Sequence, residues 1–545
     1  MKTEFDVIIV GAGVNGLACG AYLAKAGLEV LLLEKRNECG PFALTEDVFG
    51  AGAITDTHAA VCFLPMGPAY GDLELDRFGF DLIIGKASGA AVWKDGKNLV
   101  FYYDPTRMTE AIAQFSRRDA ETAQRIGQQL RPQLIEILER AIFREPSAEG
   151  LEFLWSLGAH AGLTPAEVRS LNGIELLDRL YESEHVKMTF LAVADIGLFG
   201  DVTQKGEGAV AVLLGPALAV GTPRGGMHNL VHALVRCFRS HGGTLQLNAP
   251  VAHVEFAGGV ARRVVLAEES PYPGHEFRAR RAVVLHVTPP VALPMLGEDV
   301  VRSHAPELHR KMAAWSMTGH CAFISHFLVR GLPRWGSAAW NPDVGEVPFL
   351  LRAWDSWAHA QASLQKHHDE DTMAVLGDVG ELYNQAAQDA SRVSRDGCCT
   401  VSLEIEYPVT LPQHGGFGRW DDRELIDRVH AAHLDLLDGL APGFRSQVVD
   451  SLYYTPLDNW RRNASAVYGH ELGGDASGAQ WYMGRMPVRG LPGLYFSNGI
   501  WPASLTHLGP GYIAACEIAE DLGVRRQPWW RYRPLEYALE RAATS

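Results

Sequence analysis

The residues best suited to chemistry stand at the start of the chain. Gly11-Ala12-Gly13-Val14-Asn15-Gly16 is a GxGxxG loop, and Glu34 follows Gly11 by 23 positions. Together these residue types handle phosphate and ribose. Gly11 permits a tight turn. Gly13 lets the backbone approach a pyrophosphate with no Cβ in the way. Gly16 lets the following helix pack close to the sheet. A carboxylate at the distance of Glu34 accepts both ribose hydroxyls and disfavours a 2′-phosphate. A lone GxGxxG is weak evidence, so its surroundings decide.

Those surroundings are complete. Residues 5–10 (FDVIIV) form an apolar, β-branched run, the pattern of a parallel strand covered on both faces. Residues 17–26 read as a small-residue helix that ends at Gly27, and its N-terminus offers free N–H groups and a positive dipole end to phosphate. Residues 29–33 are a second strand, closed by Glu34. Strand, glycine loop, helix, strand and acid together predict a dinucleotide site.

The whole chain sets the limits. It has 545 residues, 47% of them hydrophobic, a net charge of −15 and a pI near 5.8. That length suggests two to four compact units. The acidity opposes binding to nucleic acid. Eight scattered cysteines, with no CxxC pair, read as reduced thiols and point to a cytoplasmic setting. The run 7–10 meets the glycine loop at once and so reads as a strand rather than a secretion signal. No stretch approaches the ~20 apolar residues of a membrane-spanning helix. Residues 367–371 (HHDED) look metal-like by composition, but consecutive side chains converge poorly on one ion. They read as a solvated loop, and no metal site is expected.

After Glu34 the chain continues Lys35-Arg36-Asn37-Glu38-Cys39-Gly40-Pro41 and then Thr45-Glu46. This resembles the flavoprotein stretch that wraps FAD. Later segments follow in the same order: Thr222-Pro223-Arg224-Gly225-Gly226-Met227, then Asn248-Ala249-Pro250-Val251, Thr455-Pro456-Leu457-Asp458, residues 469–474, and Leu491-Pro492-Gly493-Leu494-Tyr495-Phe496 before a last helix. In this order the chain resembles the phytoene desaturase and carotene isomerase-like flavoproteins, relatives of the amine oxidases. The resemblance implies an α/β fold: a discontinuous Rossmann-type FAD-binding domain with a second, α+β substrate domain carrying a mixed sheet and helical segments. The expected FAD-binding segments are 1–90, 221–300 and 481–524, the substrate segments 91–220 and 301–480, and the tail 525–545. The expected elements include strands at 245–255, 260–266, 281–286 and 402–407, strand-like pieces within 54–60, and an amphipathic helix at 426–440.

The resemblance assigns Gly11, Gly13, Asn15, Gly16, Glu34, Lys35, Gly40, Val251, Gly499, Trp501 and Leu508 to the cofactor, Val251 through its backbone to the adenine. The chain departs from the family in two places. Gly40-Pro41 stands where a double glycine is usual, and Trp501-Pro502-Ala503-Ser504 where the family has a histidine followed by glycines. Both lie in loops that the resemblance sets near the isoalloxazine, where they reshape a pocket or leave backbone binding untouched.

Flavin chemistry needs no strong acid–base motif, and none is read. The resemblance sets three polar groups, Asp56, His58 and His507, within reach of the ring, each with a structural hydrogen-bonding role as the simpler alternative. Two functions follow. One is an FAD-dependent dehydrogenase or desaturase of an apolar, isoprenoid-like or alicyclic substrate, passing electrons to oxygen, a quinone or another carrier. The other is a redox-neutral isomerase or hydratase acting on a C=C bond. Peripheral membrane contact and oligomeric assembly are compatible with either. The tail, Arg525-Arg526-Gln527-Pro528-Trp529-Trp530-Arg531-Tyr532-Arg533, suits a lipid surface or packs back on the first domain through arginine–ring contacts.

Overall fold

The glycine loop leaves the carboxyl end of a central parallel strand. In the computed structural model, which describes residues 2–531 apart from 146, 197–200, 216–218, 318–319, 370–379, 409–419, 471–472, 475–487, 498–506 and 526, β1 (Glu4–Val10) runs into α1 (Val14–Lys25) and β2 (Val30–Leu33). Further along the chain come α2 (His228–Ser240), β3 (Thr244–Gln246), β4 (Val251–Ala257), β5 (Val260–Leu266), β6 (Glu276–Leu285), β7 (Leu494–Phe496) and α3 (Gly509–Asp521). The strands make one sheet in the order β4-β5-β6-β1-β2-β3, with β7 added beside β6. β1, β2, β3, β6 and β7 pair in parallel, and β4 and β5 join antiparallel.

Alternation along the strands supplies two cores. Val7 and Ile9 face the cluster that includes α1, α2 and α3, while Ile8 and Val10 face a second cluster with Val283 and Leu285. This is why FDVIIV is apolar at almost every position. The small residues Ala18, Gly20 and Ala21 let α1 bury nearly its whole length.

The second sheet also has seven strands, in the order 448–454, 320–330, 398–408, 380–383, 349–352, 87–92 and 98–102. Its pairs are antiparallel except for the parallel pair of Phe349–Arg352 with Ala87–Val92. The mixed sheet expected for the second domain is therefore present. It begins at Ala87, inside the expected first FAD-binding segment. The helical stretch includes Arg117–Leu130 and Gly173–Leu180, each started by a side-chain cap, from Ser116 and Asn172.

Three expectations change. The strand at 245–255 is broken in two, because Asn248 takes a left-handed φ of +52° ahead of Pro250. Its N–H donates to the Arg36 carbonyl and that of Ala249 to the Glu34 carbonyl, so the break seats this segment against the end of β2. The strand-like pieces within 54–60 reduce to Thr55–Asp56, paired with Thr45–Glu46. His367 and His368 belong to the helix Trp357–Asp369 rather than to a loop, and Glu370 and Asp371 lie outside the described residues.

Of the two arrangements open to the tail, the structure has the second. Arg525 and Trp530 pack back on α1: Trp530 is buried 4.9 Å from the Tyr22 ring, with the Arg525 guanidinium 4.2 Å above it. None of the eight cysteines forms a disulfide, and no helix among the described residues is long and apolar enough to cross a membrane.

Candidate functional site

The glycine loop owes its shape to crowding from below. Gly11 has a φ of +103°, and its N–H donates to the Leu33 carbonyl. A Cβ on Gly13 would meet the His286 imidazole at 2.6 Å, and one on Gly16 would meet the Gly11 carbonyl at 2.2 Å. The residue after β6, His286, thus fills the space beneath the loop, which adds a packing reason to the phosphate reason for Gly13. Burial pushes the His286 imidazole down to about 4, so it is neutral there.

Glu34 is buried at the end of β2. Its two oxygens accept the N–H groups of Ala12 and Arg36, both at 2.8 Å. Burial raises its pKa, and these N–H bonds work against that rise. Each carboxylate oxygen keeps a further lone pair. The Glu34 carboxylate therefore ties the glycine loop to β2 and still has acceptor capacity for two ribose hydroxyls. Ala249 donates its N–H to the Glu34 carbonyl, two residues before β4 starts at Val251, and Lys35 is exposed beside Glu34. These groups fit a dinucleotide: an acid with spare acceptors, a side-chain-free loop and a helix N-terminus directed at it.

Gly40 (φ +69°) donates its N–H to the Ala12 carbonyl, and a Cβ there would meet Val231 of α2 at 2.5 Å. Its loop is fastened to the phosphate turn through Gly40, so the missing N–H of Pro41 is not called upon at that contact. Asn15 stands where two helices meet. Its side-chain oxygen accepts the Gly511 N–H at 3.2 Å, and Leu508, with a φ of +64°, starts α3. The N-termini of α1 and α3 converge there. Gly499 and Trp501 lie outside the described residues.

The three candidate polar groups have different surroundings. Asp56 anchors a buried knot. Its Oδ1 accepts from Thr45 Oγ1 (2.5 Å) and the Met227 N–H (2.8 Å), and its Oδ2 from Arg392 Nη1 (2.9 Å) and Gln385 Nε2 (3.1 Å). Arg392 also reaches the Pro223 carbonyl, while Asp389 accepts the Gly225 N–H. Asp56 thus joins the Thr45–Glu46 strand, the turn at 222–227 and the loop at 385–392. His58 stacks on Phe42 at 4.2 Å. His507 lies flat on Phe63, 4.6 Å between rings and 4° between planes, with no hydrogen-bond partner for either nitrogen among the described residues. Burial pushes its imidazole down to about 3. His507 is thus a neutral, apolar-seated imidazole, and Asp56 is a tether whose carboxylate is fully engaged.

Sequence reasoning missed two features. His326, on the strand His320–Arg330, is fully buried, bonds Ser402 through Nδ1 at 2.7 Å and lies among Thr57, His58 and Arg462; no local signal marks it. The other had a visible signal: His228 and His232 are an i,i+4 pair on α2, and with Glu38 they place three ligand-type atoms within 4.8 Å of one another. The expectation of no metal set overlooked that spacing.

Comparison with known proteins agrees with this geometry. The sequence profile described as flavin containing amine oxidoreductase matches residues 15–327. The chain is 24% identical to a subunit of the limonene dehydrogenase of Castellaniella defragrans, over 97% of this chain and 96% of that one. It is 28% identical to the lycopene-forming phytoene desaturase of Pantoea ananas, over 85% and 87%. Among solved structures, a triple mutant of putrescine oxidase superposes with a TM-score of 0.57 at 16% identity, over 96% of this chain and 100% of that one, a likeness of fold alone.

Proposed function

The chain belongs to the flavin-containing amine oxidoreductase family, and from that premise we propose that it is an FAD-dependent dehydrogenase of an apolar, isoprenoid-like or alicyclic substrate. The observation that carries this reading is the seat of His507, a neutral imidazole laid on Phe63 with no polar partner among the described residues. Set beside the flavin, as the family resemblance implies, such a wall would present no fixed charge. It suits an uncharged hydrocarbon better than an ammonium ion, which calls for a carboxylate or an aromatic cage. The relative named for limonene, aligned over almost the whole chain, supports the same substrate class.

FAD, when bound, supplies the hydride acceptor through its N5 position. The chain's own contribution is placement. Glu34 would hold the ribose hydroxyls, and the N-terminus of α1 would face the pyrophosphate. The converging N-termini of α1 and α3 favour negative charge where they meet. The buried side chains of Phe63, Phe143 and Leu508 would keep that end of the site apolar.

Anaerobic mixing of the purified yellow protein with monocyclic and acyclic alkenes tests the proposal. Bleaching of the flavin absorbance with formation of a more unsaturated product is expected. Bleaching by primary amines alone would replace the reading with an amine oxidase, and turnover without bleaching would replace it with the redox-neutral isomerase or hydratase.

A further inference from the structure

We propose that Glu38, His228 and His232 form a binding site for a divalent metal ion of the zinc class, which fastens the loop after β2 to α2. His228 and His232 lie one turn apart on the same face of α2, with ring centroids 4.4 Å apart. Glu38 comes from the loop that ends at Gly40, and its Oε1 is 2.8 Å from His228 Nε2. One ligand atom from each of the three residues lies within 4.8 Å of the other two. Two imidazoles and a carboxylate are a zinc-type donor set, and three protein ligands leave one position for water.

The surroundings are built for such an ion. His228 is buried, and its Nδ1 faces the Ala43 carbonyl at 2.8 Å. A proton on Nδ1 donated to that carbonyl leaves the Nε2 lone pair directed at Glu38, the outer-shell arrangement that orients a metal-binding histidine. The Nδ1 bond to the Ala43 carbonyl orients the ring, and a cation between Nε2 and Glu38 takes the place of the Nε2 proton that otherwise joins them. His232 and Glu38 are exposed, so an ion can enter from solvent. The nearest cation along the helix, Arg236, is engaged with the Phe78 carbonyl at 2.9 Å.

The position gives the ion a role. Gly40, two residues beyond Glu38, donates to Ala12 of the glycine loop and packs on Val231 of α2. A metal bridging Glu38 to α2 closes the same loop from its outer side. The site uses none of the residues assigned to substrate chemistry, so it stands or falls separately from the dehydrogenase reading.

The test is zinc binding by the purified flavin-loaded protein, freed of metal by chelation, in equilibrium dialysis and in thermal melts with and without Zn²⁺. Wild type is expected to bind one Zn²⁺ per chain and to melt at a higher temperature with it. His232→Ala and Glu38→Gln are expected to bind at least tenfold more weakly and to lose the thermal shift. His253→Ala, an exposed histidine on β4, is expected to bind like wild type. Flavin content and the metal-free melting temperature show that each variant is folded. Equal zinc uptake by wild type, His232→Ala and Glu38→Gln would overturn the site. So would the absence of uptake by wild type, which leaves Glu38 and His228 as a simple ion pair.

Discussion

Asn15, in the first turn of α1, accepts the backbone N–H of Gly511, in the first turn of α3, at 3.2 Å. The two residues stand near opposite ends of the chain, yet they join the two helix N-termini at the candidate site. Their approach leaves no room for a side chain: a Cβ on Gly511 would lie 2.2 Å from the Asn15 carbonyl oxygen. Gly511→Ala must therefore push α3 away from α1, a form of overpacking that costs about 1–3 kcal/mol or more. A lower denaturation midpoint together with reduced flavin content at purification is expected. A variant that melts and retains flavin like wild type would mean that the two helix ends do not meet this closely.

What could be read in the sequence was local. The glycine loop, β1, α1, β2 and Glu34 fall within 31 consecutive positions (residues 4–34), so periodicity and spacing expose them. The break at Asn248 was also local, because asparagine ahead of Ala-Pro favours a turn, and reading 245–255 as one strand ignored it. The role of Asp56 was out of reach, since Arg392, its ionic partner, lies 336 positions away in a loop with no motif of its own. The histidine pair on α2 lies between these cases. Its i,i+4 spacing was visible, but only the fold brings Glu38 to it.

Glu34 gives the most direct test of the dinucleotide site. Its carboxylate bonds two backbone N–H groups, and the remaining acceptors are assigned to the ribose. Glu34→Ala is expected to weaken FAD binding by ~1–3 kcal/mol through lost charge-assisted hydrogen bonds. Quenching of flavin fluorescence on titration into apoprotein measures it, and unchanged affinity would remove Glu34 from the ribose.

The Asp56–Arg392 pair is buried on both sides, with 0% and 2% of the side chains exposed. Arg392→Met leaves the carboxylate without its cation and is expected to destabilise the protein by ~3–5 kcal/mol. Asp56→Asn, which keeps an oxygen for the Met227 N–H, is expected to be milder. If Asp56 were instead a catalytic base, Asp56→Asn would abolish turnover while leaving the melting temperature intact, so urea denaturation beside flavin reduction rates separates the two roles.

His433 gives a pH test with a definite sign. It is fully buried against Tyr407, and burial pushes its imidazole down to about 3 from an ordinary 6.5. The unfolded chain therefore binds a proton below pH 6.5 that the folded chain refuses until about pH 3. The contribution is fully present above pH 6.5 and is lost as the pH falls through that window, by about 1.4 kcal/mol per pH unit. Carboxyls with raised values, such as Asp72 at about 6, act in the opposite direction. A comparison of wild type with His433→Phe cancels them. Between pH 6 and pH 4 the stability of the variant is expected to fall less steeply, by one proton. Parallel curves of urea midpoint against pH would show that His433 is protonated in the folded chain.

The folded-back tail ties the end of the chain to the cofactor helix. Trp530 packs on Tyr22 of α1, the Lys25 ammonium lies 4.7 Å from the Trp529 ring centroid, and the Arg531 N–H and the Tyr22 hydroxyl both donate to Asp72. Burial raises Asp72 to about 6, so these two hydrogen bonds matter for holding it as a carboxylate at neutral pH. Trp530→Ala removes the buried indole of this corner and is expected to cost ~3–5 kcal/mol, read as a lower denaturation midpoint. Because Tyr22 belongs to α1, flavin should be released faster in the same variant, and Trp530→Phe should recover part of both losses. A wild-type midpoint for Trp530→Ala would mean that the tail rests on α1 without supporting it.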